Sequence, residues 1–330
     1  MNAGLKESRA DGVKGSVALT GATGFIGGAL AKRLAGAGWH VKALVRNLSK
    51  ARALQPLDLE IVQGDLEDAV ALRSLLDGVQ AIVHCAGTVR GVDEQDFFPV
   101  NVAGTERIAS LASLMNPAPR FIFLSSLAAR EPHLSPYAAS KLEGELVLRK
   151  VAGPMPLTIL RPPAVYGPGD REMLPLLLLL MRGFALMLGS EGSRFSMLYV
   201  DDLAAAIEQC LIAGDSGQRT FALHDGHVGG YTWDAIVELA TPVRGRPIRR
   251  LRLPRGLLNG LAVMSSQWGR LTGAAPMLTP GKVRELTHPD WVCDNAEVSC
   301  ALDWTPQVEF ASGLRRTLAW EQAAKQTTSH

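Results

Sequence analysis

The stretch Thr20-Gly-Ala-Thr-Gly-Phe-Ile-Gly27 decides the fold. It directly follows a short apolar run, 16–20, and opens a helical stretch, 25–38. Each glycine has a separate use. Gly21 permits the tight turn, Gly24 lets backbone approach a pyrophosphate, and Gly27 lets the helix pack closely on the strand, while the helix N-terminus faces the negative charge. Outward from this turn, the runs 41–45, 59–62, 80–84, 121–124 and 157–160 are brief and apolar, as buried parallel strands should be. Between them, 68–76, 94–115 and 136–151 are long enough for crossover helices. The alternation predicts an α/β fold: a Rossmann-type, doubly wound parallel sheet over 16–170, with a smaller C-terminal substrate lobe over 171–330. In that lobe 201–213 and 311–325 read as helices and 217–223 as a strand, and the elements at about 197–223 are expected to pack back on the sheet. Residues 1–15 are polar and mixed in charge, and are expected to form a flexible leader rather than a signal peptide.

Composition narrows the function. With 47% hydrophobic and 20% charged residues in 330, the chain can build a core and is not a disordered one. Its 34 Lys and Arg nearly balance 32 Asp and Glu, so it is not a general nucleic-acid binder, which needs many phosphate contacts. Cys85, Cys210, Cys293 and Cys300 are scattered without a C-x-x-C pair, so no metal site is expected and a reducing compartment is. The longest apolar run, 173–181, contains Pro175 and stops at Arg182, too short to span a bilayer. A cytoplasmic location is expected.

Arg46 ends the second strand, where a sheet that binds NAD commonly carries an acid for the ribose hydroxyls. A guanidinium suits a 2′-phosphate, so NADPH or NADP is expected over NAD. Asp65 and Leu66 follow the third strand, and Ala86 and Gly87 the fourth, at strand ends where ligands of such sheets bind. Asp65 can accept from an adenine amino group, and the two small residues leave room for a cofactor. His84 and Cys85 read as core residues. Ser125 and Ser126 end the fifth strand, and Tyr137 and Lys141 lie four apart at the start of the next helix, on one face. A cation near the phenol is expected to lower its pKa and ready it for proton transfer, while a serine hydroxyl holds the substrate oxygen.

These motifs, with the NVAGT turn at 101–105, RPPAVYGPGD at 161–170 and the Tyr199-Val-Asp-Asp-Leu203 turn, resemble the extended short-chain dehydrogenases/reductases. That superfamily includes nucleotide-sugar epimerases and dehydratases, hydroxysteroid dehydrogenases and dihydroflavonol-type reductases. The resemblance implies Tyr137 as general acid/base, Lys141 as its pKa modifier and ribose ligand, and Ser126 as the hydroxyl that polarises the carbonyl. It implies cofactor contacts from Gly21, Thr23, Gly24, Phe25, Ile26, Gly27, Arg46, Asp65, Leu66, Ala86, Gly87, Lys141, Pro163 and Val165. The tail, 295–320, is similar to a closing Leu-Gly-Trp-x-Pro segment, with Asp303 in place of the glycine. Two positions depart from the sugar-nucleotide members. Pro162-Pro163 follows Arg161 where they have an aromatic-Asn pair, and Phe195 stands where they tend to place a diphosphate-binding arginine, with Arg194 beside it.

The expected activity is therefore NADPH-dependent reduction of a ketone, or the reverse oxidation of a secondary alcohol. Two other functions remain open: a nucleotide-sugar epimerase or dehydratase, and a non-catalytic NADPH-binding scaffold resembling the accessory subunit of respiratory complex I. The apolar run 173–188 suggests either core or the lining of a tunnel for a lipid-like or steroid-like substrate. Arg244, Arg246, Arg249, Arg250, Arg252 and Arg255, in a stretch without Asp or Glu, read either as solvated arginines that pair with acids elsewhere in the chain or as a site of peripheral contact with an anionic membrane at its cytoplasmic face. A homodimer is also expected.

Overall fold

The computed structural model describes residues 14–213, 217–273 and 275–328. Seven strands form one parallel sheet: β1 (Ser16–Thr20), β2 (His40–Val45), β3 (Leu59–Gln63), β4 (Ala81–His84), β5 (Arg120–Leu124), β6 (Leu157–Arg161) and β7 (Gln218–Ala222). Their order is β3-β2-β1-β4-β5-β6-β7, so the winding reverses between β1 and β4. Ligands of such sheets bind at that reversal, beyond the carboxyl ends of the strands. Alternate strand residues serve opposite faces. Val17, Leu19, Val83, Ile122 and Leu124 pack under α1 (Phe25–Gly36), while Ala18, Ile82, Phe121 and Phe123 pack under α2 (Ala69–Leu76), α3 (Thr105–Ser113) and α4 (Pro136–Ala152). Because both faces are covered, the strands read as unbroken apolar runs.

Asp68 starts α2 by accepting from the Val70 and Ala71 N–H groups. Ser135 starts α4 by accepting from Ala138 N–H, with Pro136 in the first turn, and this places Tyr137 at the sheet's carboxyl edge. The stretch 94–115 is not one regular helix. Glu94–Phe98 is α-helical, Pro99–Gly104 is π-helical, and α3 follows. Pro99 lacks the N–H that an uninterrupted α-helix needs there, and the wider turn carries Asn101 toward the site.

The chain returns to the sheet after its first pass through the second lobe. Helix α5 (Val200–Ile212) covers the α1 face, and β7 pairs with β6. Asp202 then holds the tail by accepting from the Gln307 and Val308 N–H groups. The second lobe has its own core of Tyr166, Tyr199, Tyr231 and Phe310 with Leu177 and Leu180. Small parallel pairs bind it together: Phe184–Met187 with Arg249–Arg252, and Arg194–Phe195 with Asp290–Trp291. Helices α6 (Arg255–Thr272) and α7 (Pro280–Leu286) lie beyond them. Of the expected leader, 1–13 fall outside the described residues. Lys14 is tied down, donating its N–H to Gly38 and pairing with Glu208.

Candidate active site

The glycine turn is shaped by close approach. Gly21 has φ +75, and a Cβ there would lie 2.7 Å from Ala86 N; a Cβ on Gly27 would lie 2.1 Å from the Gly21 carbonyl oxygen. Side chains are excluded at both. Gly24 begins α1 without a side-chain cap, and Thr23 and Gly24 are exposed, so the helix presents backbone N–H groups at the sheet's reversal. That donor set fits the pyrophosphate of a nicotinamide dinucleotide. Phe25 and Ile26 follow half-buried in the first turn. Across the reversal, Ala86 is fixed by donating to Thr20 Oγ1 at 3.1 Å, and Gly87 is exposed.

Beneath this turn His84 is fully buried and neutral. Its Nδ1 lies 2.7 Å from Thr20 Oγ1 and its Nε2 lies 3.1 Å from Thr105 Oγ1. Thr105 gives its own proton to Asn101 O, so Nε2 must donate to Thr105; Thr20 then donates to Nδ1 and accepts from Ala86. Burial, helped by Lys141, lowers the imidazole to about 3. Burial likewise raises the Cys85 thiol to about 12, which makes it a poor nucleophile.

Arg46 stands exposed at the end of β2, and Asn47 beside it caps the short helix Leu48–Ala51. Asp65 is half-buried, with Oδ1 accepting from the Glu67 and Asp68 N–H groups. Leu66 is buried beneath Gly104. Pro163 and Val165 are half-buried on the segment after β6.

The two serines after β5 have different duties. Ser125 is buried and donates to Glu145 Oε1 at 2.5 Å. Ser126 is half-buried, accepts from Ala128 N–H, and acts on the Tyr137 phenol to lower its pKa. Lys141, one turn along α4, donates to Leu124 O at 2.7 Å and lies 4.8 Å from the Phe123 ring centre. Burial pulls its ammonium down to about 8, with Glu145 acting the other way. The phenol of Tyr137 does not follow the expectation of a lowered pKa. Burial raises it above the ordinary tyrosine range, opposed by Ser126 and then by Lys282 rather than by Lys141.

Three contributors lie outside the motifs read from the sequence. Glu145 is 2% exposed and holds Arg161 through two bonds of 2.8 and 2.5 Å. Its spacing from Lys141, one turn along the same helix face, was a legible signal. Asn101 accepts from Thr88 N–H and donates to Thr88 O and Ser140 Oγ, joining the β4 loop to α4. Lys282 comes from α7, in the other lobe, with no local signal. Its ammonium pairs with Glu285 at 3.0 Å, and Glu285 accepts from Ser135, the residue that caps α4.

Beside Tyr137 a narrow cleft is lined by Val89, Phe97, Pro276 and Met277 together with Arg90, Glu172, Lys282 and Glu285. It leaves about 20 Å³ of free volume, room for a water. The leucine-rich run 173–188 contributes no lining residue here. Its Leu177, Leu180 and Ala185 pack instead into the second core, with Tyr166, Tyr199 and Phe310.

The model of the NAD dependent epimerase/dehydratase family matches residues 17–222. The chain belongs to that family. It is an oxidoreductase of the extended short-chain type, dependent on a nicotinamide dinucleotide. A relative named ceramide reductase, from Caulobacter vibrioides, is 38% identical over 94% of this chain and 96% of its own length. Sterol demethylase protein B of Methylococcus capsulatus is 28% identical over 74% of this chain and 80% of its own. Among solved structures, a UDP-glucuronic acid 4-epimerase of Bacillus cereus bound to NAD superposes with TM-score 0.73 at 19% identity, covering 94% and 99% of the two chains. This last likeness is one of fold. Among the described residues no helix is long and apolar enough to cross a membrane, and no metal-binding group of His, Cys, Asp or Glu occurs.

Proposed function

We propose that this protein reduces a ketone on a long-chain lipid, with NADPH as the reductant. The observation that carries the reading is how the charges in the cleft are spent. Arg90 is paired with Glu172 at 2.7 Å and Lys282 with Glu285 at 3.0 Å, which leaves an apolar wall of Val89, Phe97, Pro276 and Met277. A sugar diphosphate needs uncommitted cations. Phe195, at the position expected to bear such a cation, packs on Trp233 at 4.9 Å, while Arg194 donates to Gly229 O. The similarity to proteins named for ceramide and sterol chemistry supports the same substrate class.

The exposed Arg46 is the group that would meet a 2′-phosphate. When bound, the nicotinamide supplies hydride to the carbonyl carbon. Ser126 donates to the carbonyl oxygen and Tyr137 delivers its phenolic proton there, giving the alcohol. Burial raises the Tyr137 phenol, so it carries the proton that this step transfers. Lys141, drawn back onto Leu124 O, supports the floor of the site and is the residue that would hold the nicotinamide ribose.

The test is NADPH oxidation by the purified protein with a long-chain sphingolipid-type ketone, followed by mass spectrometry of the alcohol. Tyr137→Phe should lower turnover by roughly 10²- to 10⁴-fold while NADP binding persists. Turnover of a UDP- or dTDP-sugar without action on keto-lipids would replace this reading with the epimerase one. Tight NADPH binding with no turnover of either class would favour the scaffold.

A further inference from the structure

Helix α6 faces the wrong way for a helix that ends its contacts with this chain. Its buried line is Leu258, Ala262, Ser266 and Gly269, mostly small residues. Its outward line is Leu257, Leu261, Met264, Trp268 and Leu271, spaced four, three, four and three, with Met264 66%, Trp268 68% and Leu271 83% exposed. One exposed leucine means little, but a stripe of five along a single helix marks an interaction surface.

The sequence on either side of the stripe carries charge of one sign. The stretch 239–284 holds nine Lys and Arg and no Asp or Glu. Six of these cations are engaged: Arg250 pairs with Asp234, Arg252 with Glu191 and Lys282 with Glu285, while Arg244 donates to the Met181 and Pro247 carbonyls, Arg255 to Thr287 and Arg284 to the Leu134 carbonyl. Arg246, Arg249 and Arg270 make no ion pair among the described residues and are exposed. Beyond its C-terminus the helix leads within a few residues to Pro276 and Met277, which wall the cleft at Tyr137.

We propose that α6 and its flanking arginines dock on an anionic phospholipid surface, with the stripe at the headgroup–acyl boundary and the Pro276–Met277 edge of the cleft turned to the bilayer. The inference rests on the lipid-ketone reading of the site and adds the route by which such a substrate arrives. A second copy of the chain is the poorer occupant. A two-fold interface through this face would set the acid-free cationic stretch against itself, whereas an anionic leaflet complements it.

The full-length protein is tested by flotation with phosphatidylcholine vesicles, with and without about one-third phosphatidylglycerol, at low and high salt. Binding is expected to the anionic vesicles at low salt. It should fall at least about tenfold at high salt, in Leu261→Gln/Met264→Gln/Trp268→Gln, and in Arg246→Gln/Arg249→Gln/Arg270→Gln. All six side chains are exposed, so both variants should keep the wild-type melting temperature and its turnover of a short-chain, water-soluble ketone. No flotation at low salt, or equal flotation of the stripe variant, would overturn the proposal. So would a wild-type dimer, seen by ultracentrifugation, that the stripe variant makes monomeric without any vesicle binding. Flotation by a protein that reduces no ketone would uphold the surface and sink the functional reading instead.

Discussion

The Lys282 ammonium lies 5.9 Å from the centre of the Tyr137 ring, though one residue belongs to the second lobe and the other to the sheet domain. It also pairs with Glu285, which Ser135 binds, so the lobe that closes the cleft is wired to the helix that carries the acid. Removing the cation disfavours phenolate, so Lys282→Met should raise the Tyr137 pKa further. After allowance for screening of a half-exposed ammonium, the limb of the kcat profile that reports phenolate in alcohol oxidation should move up by on the order of one pH unit. An unmoved profile would separate Lys282 from the phenol.

Lys141 carries a measurable cost to stability. Its ammonium titrates at about 8 in the folded chain against 10.5 ordinarily, with burial as the main cause. Between those values the unfolded chain holds more protons, so stability from this group is lowest below pH 8 and recovers as the pH rises toward 10.5. Without cofactor at pH 7, Lys141→Met should be more stable than the wild type by about 2 kcal/mol, after the lost hydrogen bond to Leu124 is subtracted. Denaturant melts should show that advantage shrinking toward pH 10. A variant less stable at pH 7 would contradict the assignment.

Glu145 is the buried acid that holds Arg161 and Ser125. Glu145→Gln leaves Arg161 without its anion and should cost roughly 3 kcal/mol, read from the urea midpoint. It should also push the Lys141 ammonium lower still, since Glu145 is the first of the groups that raise it.

Arg46→Asp tests the cofactor. A carboxylate repels a 2′-phosphate and accepts from ribose hydroxyls, so the ratio of NADPH to NADH affinity should fall by about tenfold or more. Fluorescence titration reads it directly; wild-type protein that binds NADH as tightly as NADPH would leave Arg46 without this role.

The sheet was legible in the chain because each layer of it is local. Strand runs buried on both faces stay apolar throughout, and the glycine turn writes its close approaches as missing side chains at 21 and 27. Tyr137, Lys141 and Glu145, each four residues from the next, are set on one face by helical periodicity alone. Tertiary structure decided the rest. The break at Pro99 that aims Asn101, the burial that raises Tyr137 instead of lowering it, and the placing of Lys282 against the phenol depend on elements far apart in sequence. Leu177, Leu180 and Ala185 of the leucine run went to the core and the cleft took its apolar wall from Val89, Phe97, Pro276 and Met277, because a run with no polar face does not record which element it packs against.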